Sequence, residues 1–497
     1  MLDISELRNW LYGILSSLTD SERRSYVVPI LGLTAAGVVL LGLRRRRPGR
    51  KPTQLDADMP KKEGTKRAFG EWIPQHFVYP AVSSAPYLLH EMKPPMYRPF
   101  RWGEYHVTMG IRSMQWNEWI EAHDQFESYY RIRQHRLAIK PQELLIVQPP
   151  SVRENVGQDE KVHIGGGAEA AIELVHELAE YLSRRYPTTF TVTRHAASAD
   201  LVKYSPGWDG AAPIKTIRVS LGSVDDEFTL PMPLPIAQCD SNQFDVARDG
   251  REALRIASLL VQDDLALMVE GTDGRYYFQA GAILVAGFWR MIDKIGKRLD
   301  EIHLSGDVPK CKSLRPRIQS YLILTFLDAK KLQVPLERFF RRLSVDKPVV
   351  RNNYFIQISP PRDPEAEPTV DTEQLAWGSY VLGQEEEYGR SKASVSAGAP
   401  PVVTAQNIRL RTERQTLRRL PRSGAIVFTI RTYLFPVEEL ACEPGIAARF
   451  ASAVRSWPED VRQYKGEGRY GDVLLRYLDE MAARDDGEKI ETKPYPF

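Results

Sequence analysis

Apolar residues fall at three- and four-residue steps in some stretches of this chain and alternate with polar ones in others, so the two periods predict a mixed architecture. Trp116, Trp119, Ile120, His123, Phe126 and Tyr130 mark a helix over 114–133. A strand over 143–148, a polar loop at Gly165, Gly166 and Gly167, and a helix at 168–185 follow. Short strands are expected at 189–193, 216–221 and 227–231, and the run LALMVEGTDGRYYFQAG predicts a hairpin turning at 271–274. Phe288, Ile292, Ile295, Leu299 and Ile302 predict an amphipathic helix over 288–302 that stops near Ser305 and Gly306. A further helix is expected over 336–343. In SGAIVFTIRTY, Ile426, Phe428 and Ile430 point one way and Val427, Thr429, Arg431 and Tyr433 the other, as in a strand. Helices near 437–455 and 468–483 close the chain. Short antiparallel strands among unequal helices predict the α+β class.

The first 75 residues follow a different pattern. Leu2, Leu7, Trp10, Leu11, Ile14, Leu15 and Leu18 form a helical stripe, so 1–25 is expected to be an amphipathic segment at a membrane surface. Asp3 and Glu6 count against a mitochondrial presequence. From Tyr26 to Leu43 no residue is charged, and a helix of that length reaches about 27 Å. Arg44, Arg45, Arg46 and Arg47 follow at once, so 26–43 is expected to be a single transmembrane helix with the large C-terminal part in the cytosol. The endoplasmic reticulum is the favoured membrane, with a mitochondrial one as the rival. Residues 44–75 read as a basic juxtamembrane linker, 76–360 as the main domain, 361–406 as a flexible insertion rich in Pro, Glu, Ser, Ala and Gly, and 407–497 as the strand and helices that complete the core.

Composition narrows the chemistry. Of 497 residues 43% are apolar and 26% charged, which excludes wholesale disorder, collagen and coiled coil. The formal charge is +3 and gives no reason to expect nucleic acid. Cys239, Cys311 and Cys442 are too few and too scattered for a disulfide framework or a CxxC metal site, which fits a reduced compartment. Nucleotide-binding glycine loops, the GxSxG elbow and HExxH are all missing. The three glycines at 165–167 precede a helix and fit either a plain loop or an anion site. Asp263 and Asp264 fit a metal or, more ordinarily, pairing with arginines. Arg418, Arg419 and Arg422 read by default as a solvated basic face. Among nine histidines His303 stands out, because it adjoins the apolar stripe four residues after Leu299. A ring there fits haem iron ligation or, more ordinarily, a hydrogen-bonded core or surface histidine.

Several blocks carry a resemblance that spacing alone does not. They are MGIRSMQWNEWIEAHDQFESYYRIR (109–133), LVQDDLALM (260–268), KIGKRLDEIH followed by VP, PLERFFRRL (335–343), PVVRNNYFI (348–356) and, most specific, RTERQTLRRLPRSGAIVFTIRTY (411–433). In this order they resemble the haem-dependent oxidative N-demethylase alpha-subunit-like family, of which this would be a fungal-type member. The resemblance implies a PAS-like fold holding haem b through an axial histidine. It also implies oxygen-dependent release of a methyl group from a small amine as formaldehyde, with electrons arriving from NAD(P)H through a separate flavin and iron–sulfur reductase. The family's histidine falls on His303, although HLSGDVP is longer than the family's loop after it.

A haem so held needs an apolar slot and cations for its propionates. The expected helix 288–302 would give the slot from one stripe, and Arg290, Lys294, Lys297 and Arg298 the nearby charge. Arg351 and Arg431 lie in strand-like segments, where a guanidinium has an anionic partner, either a propionate or a structural carboxylate. Tyr433, Asn352 and Asn353 are the candidates for distal polar groups. Two competing readings are a non-catalytic haem or ligand sensor on the same scaffold and a membrane-tethered interaction protein with an empty pocket.

Overall fold

The computed structural model describes residues 67–105, 110–154, 161–198, 207–233, 245–304, 337–361, 372–388 and 402–485. Twelve strands run in chain order: β1 Arg112–Ser113, β2 Leu145–Val147, β3 Ser151–Glu154, β4 Lys161–Ile164, β5 Phe190–Arg194, β6 Ile214–Leu221, β7 Val224–Thr229, β8 Asp264–Glu270, β9 Tyr276–Ala282, β10 Val349–Ile358, β11 Ile408–Arg419 and β12 Ile426–Pro436. Seven of them form one antiparallel sheet in the order β1-β10-β11-β12-β8-β9-β2. β5, β6 and β7 form a separate sheet, and β3 and β4 a two-stranded one. The α+β class is therefore observed.

The helices used below are α1 Phe126–Ile139, α2 Ala168–Arg185, α3 Val246–Leu260, α4 Leu299–Leu304, α5 Ile446–Arg455 and α6 Gly471–Arg484, among other short helices and turns. α2 buries Ile172, Val175, Leu178, Ala179 and Leu182, and α3 buries Ala253, Leu254, Ala257 and Leu260. Together they cover the rear of the large sheet, where Leu265, Leu267, Val350 and Val427 belong to the same apolar cluster. α3 begins on the Asp245 side chain, which accepts the N–H groups of Ala247 and Arg248 at 3.0 and 3.1 Å. A second core joins Leu410, Ile408 and Tyr354 to α5 and α6 through Phe450, Val454, Leu474 and Leu478.

The arginines of β11 depart from the expected solvated face. Arg411, Arg414, Arg418 and Arg419 are at most 2% exposed. Arg419 donates to the carbonyl oxygens of Leu343, Phe340 and Gly424 at 2.6, 2.5 and 2.6 Å and to the Tyr276 hydroxyl at 2.8 Å. Arg418 pairs with Glu177 of α2 at 2.6 Å and lies over the Trp119 ring at 4.3 Å. These guanidiniums tie irregular segments to the sheet by satisfying carbonyl groups that would otherwise be buried bare.

Three other expectations change. The helix over 288–302 is a 3-10 turn, Met291–Asp293, followed only by α4. Gly296 takes φ +76°, and around it the chain pairs with β9: Gly296 N–H donates to Phe278 O at 2.8 Å and Phe278 N–H to Lys297 O at 3.0 Å. The helix over 114–133 is a 3-10 turn at Trp116–Glu118 and then α1. The insertion 361–406 contains an ordered part, in which Leu375, Ala376 and Trp377 are at most 5% exposed.

The single-pass membrane assignment is corrected. Among the described residues no helix is long and apolar enough to cross a membrane. The expected amphipathic segment, the span 26–43 and the linker up to residue 66 lie outside the described residues.

Candidate functional site

The two faces of the large sheet carry different chemistry, and strand register assigns each residue to its face. On the inner face Leu417, Ile426, Ala266, Met268 and Phe278 pack with Met291, Phe340 and Leu343. Beside this closed cluster Ile146, Trp289, Ile295, Leu299, Ile302 and Phe428 are only partly buried. These residues form an apolar wall whose surface is not used up by packing within the described residues.

Polar groups share that face. Register pairs Arg351 with Gln415 and Asn353 with Glu413. Glu413 is 6% exposed, and Gln415 donates its amide to Glu413 Oε2 at 2.9 Å. Burial pushes the Glu413 carboxyl above its ordinary range, against the opposing pull of Arg411 and Arg351. Gln415 Oε1 is buried with no hydrogen-bond partner among the described residues. Phe288 and Phe355 meet at 4.9 Å between ring centroids at the same end.

The expected cations divide. Arg290 donates to Asp293 at 3.1 and 3.2 Å, and Arg298 lies 3.1 Å from Asp300 and 3.4 Å from Glu301. Lys294 sits over the Trp289 ring at 4.8 Å. All three flank the apolar wall. Arg351 is brought onto the inner face with Asn353. Asn352 instead shares the rear face with Arg414; with its oxygen toward Arg112 at 3.1 Å, its amide donates to Arg351 O at 2.9 Å. His303 belongs to α4, and its side chain lies outside the described residues.

Arg431 and Tyr433 also occupy the rear face, away from Phe428 and Ile430. Arg431 is fully buried, donates to His123 Nε2, and is held between the rings of Tyr129 and Tyr433 at 4.2 and 4.8 Å. On its other side, His123 Nδ1 lies 3.4 Å from Asp124 Oδ1 and 3.3 Å from the backbone nitrogen of Gln125. Burial and the Arg431 charge push His123 down to about 2. Tyr433 donates to Glu121 Oε2 at 3.0 Å. Arg414, directly opposite Arg431 in register, lies 3.3 Å from Glu121. Asp263 is 0% exposed, and neither of its oxygens has a hydrogen-bond partner among the described residues. Burial pushes its carboxyl up to about 6 although Arg431 and Arg414 oppose this.

Asp264 behaves as pairing with arginine predicts, 3.0 Å from Arg133. No group of metal-ligating side chains occurs among the described residues. A separate cleft of about 800 Å³ runs between residues 74–79 and α2. Three of its carboxylates are already engaged: Glu177 by Arg418, Glu180 by Arg194 at 2.7 Å, and Glu173 by the N–H groups of Arg422 and Ser423 at 2.7 Å.

Glu413 and Gln415 were missed as site residues, and the carboxylate of Asp263, read as a metal ligand or arginine partner, accepts no hydrogen bond from an arginine among the described residues. The TERQT stretch offers no apolar alternation, and only its pairing with 426–433 shows which side chains face inward.

Residues 110–325 and 327–475 match the family described as haem-dependent oxidative N-demethylase, alpha subunit-like. The match covers well over half of the chain, and the chain belongs to that family.

Proposed function

We propose that this member of the haem-dependent oxidative N-demethylase alpha-subunit-like family is a monooxygenase that uses haem b on the inner face of the large sheet. Its substrate class is a small N-methylated amine. Three observations support the reading. The strand order β9-β8-β12-β11-β10 within the sheet, with Trp289, Met291, Ile295, Leu299 and Ile302 packed on the inner face, is compatible with a PAS-like fold. The partly buried wall of Ile146, Trp289, Ile295, Ile302 and Phe428 suits a flat apolar macrocycle. Arg351 on the same face, and Lys294, Arg290 and Arg298 near the wall, are the proposed partners for the macrocycle's carboxylate edges, Arg290 and Arg298 by exchanging their present pairs with Asp293 and Asp300. His303, at the end of α4 among these residues, is the proposed iron ligand.

Haem bound there supplies reductive activation of oxygen, so the net change is amine N–CH3, O2, two electrons and two protons to N–H amine, formaldehyde and water. The electrons come from a separate NAD(P)H-dependent flavin and iron–sulfur reductase. Glu413 carries the substrate part of the reading. A buried carboxyl on the same face as the apolar wall attracts an ammonium group, and its raised affinity for protons lets it hold or release one there. Phe288 and Phe355 give the amine's methyl groups an apolar neighbour, and Asn353, opposite Glu413, is the proposed polar group beside it.

The test is formaldehyde release from dimethylamine by haem-loaded protein with oxygen and an electron donor. Stoichiometric formaldehyde supports the reading. Haem binding without formaldehyde from any small N-methyl amine would leave a haem-binding sensor instead.

A further inference from the structure

The loop that enters the inner-face wall is held from two sides by opposite charges. Asp264 accepts the N–H of Leu284 at 2.8 Å and that of Val285 at 3.2 and 3.1 Å through its two oxygens. Arg411 donates to the carbonyl oxygen of the same Val285 at 2.6 Å and to that of Leu375 at 3.0 Å. Both charges are buried, with Asp264 at 1% and Arg411 at 0% exposure. Two residues on, Gly287 takes φ +83°, donates its N–H to Ala376 O at 3.0 Å and accepts from Gly378 N–H at 2.8 Å. A Cβ at Gly287 would lie 2.4 Å from Arg411 Nη1, so glycine is what lets the guanidinium approach. Phe288 follows directly, with the Arg411 guanidinium 5.7 Å from its ring, and Trp289 is in the apolar wall.

We propose that Asp264 and Arg411 are positioning residues that clamp Val285 and thereby set Phe288 and Trp289 against the haem slot. The inference rests on the haem reading of the inner face. Neither residue is placed to touch a substrate; each acts through the backbone of 284–287. Charge-assisted hydrogen bonds on both sides of one residue hold its peptide planes more firmly than neutral bonds would. Asp264 also pairs with Arg133, so the clamp joins α1, β8 and β11 to one loop.

Two variants approach the clamp differently. Arg411→Lys keeps the charge and loses the forked contact to Val285 and Leu375. Gly287→Ala keeps both charged residues and displaces the guanidinium. In protein without haem, hydrogen exchange should quicken at 284–289 in both variants while β11 and β12 stay protected. After haem loading, both should hold haem about 10- to 100-fold more weakly, with a shifted Soret band, as when support around a metal ligand is lost. Faster local exchange with unchanged haem affinity and spectrum in either variant would overturn the positioning role. Unchanged exchange in Gly287→Ala would overturn the clamp itself, whatever Arg411→Lys does. Wild-type protein that takes no haem would remove the haem reading and the positioning role with it. The exchange result would then still show whether the clamp exists.

Discussion

Replacing Asp263 by Asn should stabilise the protein at neutral pH, against the usual effect of changing a buried residue. The carboxylate lies at 0% exposure, accepts no hydrogen bond from the described residues, and has its proton affinity raised from 3.8 to about 6 by burial. Between those two values the folded protein holds the proton more tightly than the unfolded chain does. Stability therefore falls as pH rises through that window. Raising the carboxyl from 3.8 to about 6 corresponds to about 3 kcal/mol of penalty carried by the ionised group above pH 6. Asparagine has the shape of the protonated acid and carries none of it. Urea unfolding of wild type and Asp263→Asn at pH 7.5 and pH 4 measures the difference. The variant should be more stable by up to about 3 kcal/mol at pH 7.5, with the gain shrinking toward zero at pH 4. An equal or greater loss at pH 7.5 than at pH 4 would mean that Arg431 and Arg414 outweigh burial, and would refute the reasoning.

The neighbouring histidine should act in the opposite direction. His123 is held neutral at about 2 against an ordinary 6.5, so the stability it contributes is complete above 6.5 and lost as pH falls below it. His123→Gln should flatten that acid loss in thermal melts between pH 7 and 5; an unchanged slope would show that His123 does not titrate on unfolding. Glu177→Gln should cost about 3–5 kcal/mol, because it strands the buried Arg418 guanidinium without its carboxylate. Joining Arg418→Met to Glu177→Leu should recover most of that loss. A double variant as unstable as the single one would assign the effect to packing.

The sequence patterns that survived are those in which apolar periodicity decides the element. The helix at Ala168–Arg185 and the two faces of β12 came from side chains that pack as the pattern says. β11 was not legible as a strand, because it is buried through arginines that bond to carbonyl groups, and a hydrophobic pattern cannot signal that. The stripe over 288–302 was real in part: Ile295, Leu299 and Ile302 belong to the apolar wall, while Ile292 is exposed. The helix was not, because Gly296 turns the chain to run beside β9. Arg431 and Tyr433 were legible as functional-looking polar residues, but alternation along β12 sends them to the rear face with Val427 and Thr429. The same parity brings Glu413 and Gln415 inward, and only the partner strand reveals it.

The central claim is that the inner face holds haem through His303, and the absorption spectrum of purified protein reconstituted with haem b tests it most directly. The account predicts a Soret band in wild type that shifts on adding a small N-methyl amine. It predicts loss of bound haem in His303→Ala, with a melting temperature of the haem-free protein equal to wild type. A wild type that stays colourless after reconstitution, or a His303→Ala variant with unchanged haem stoichiometry and spectrum, would contradict it.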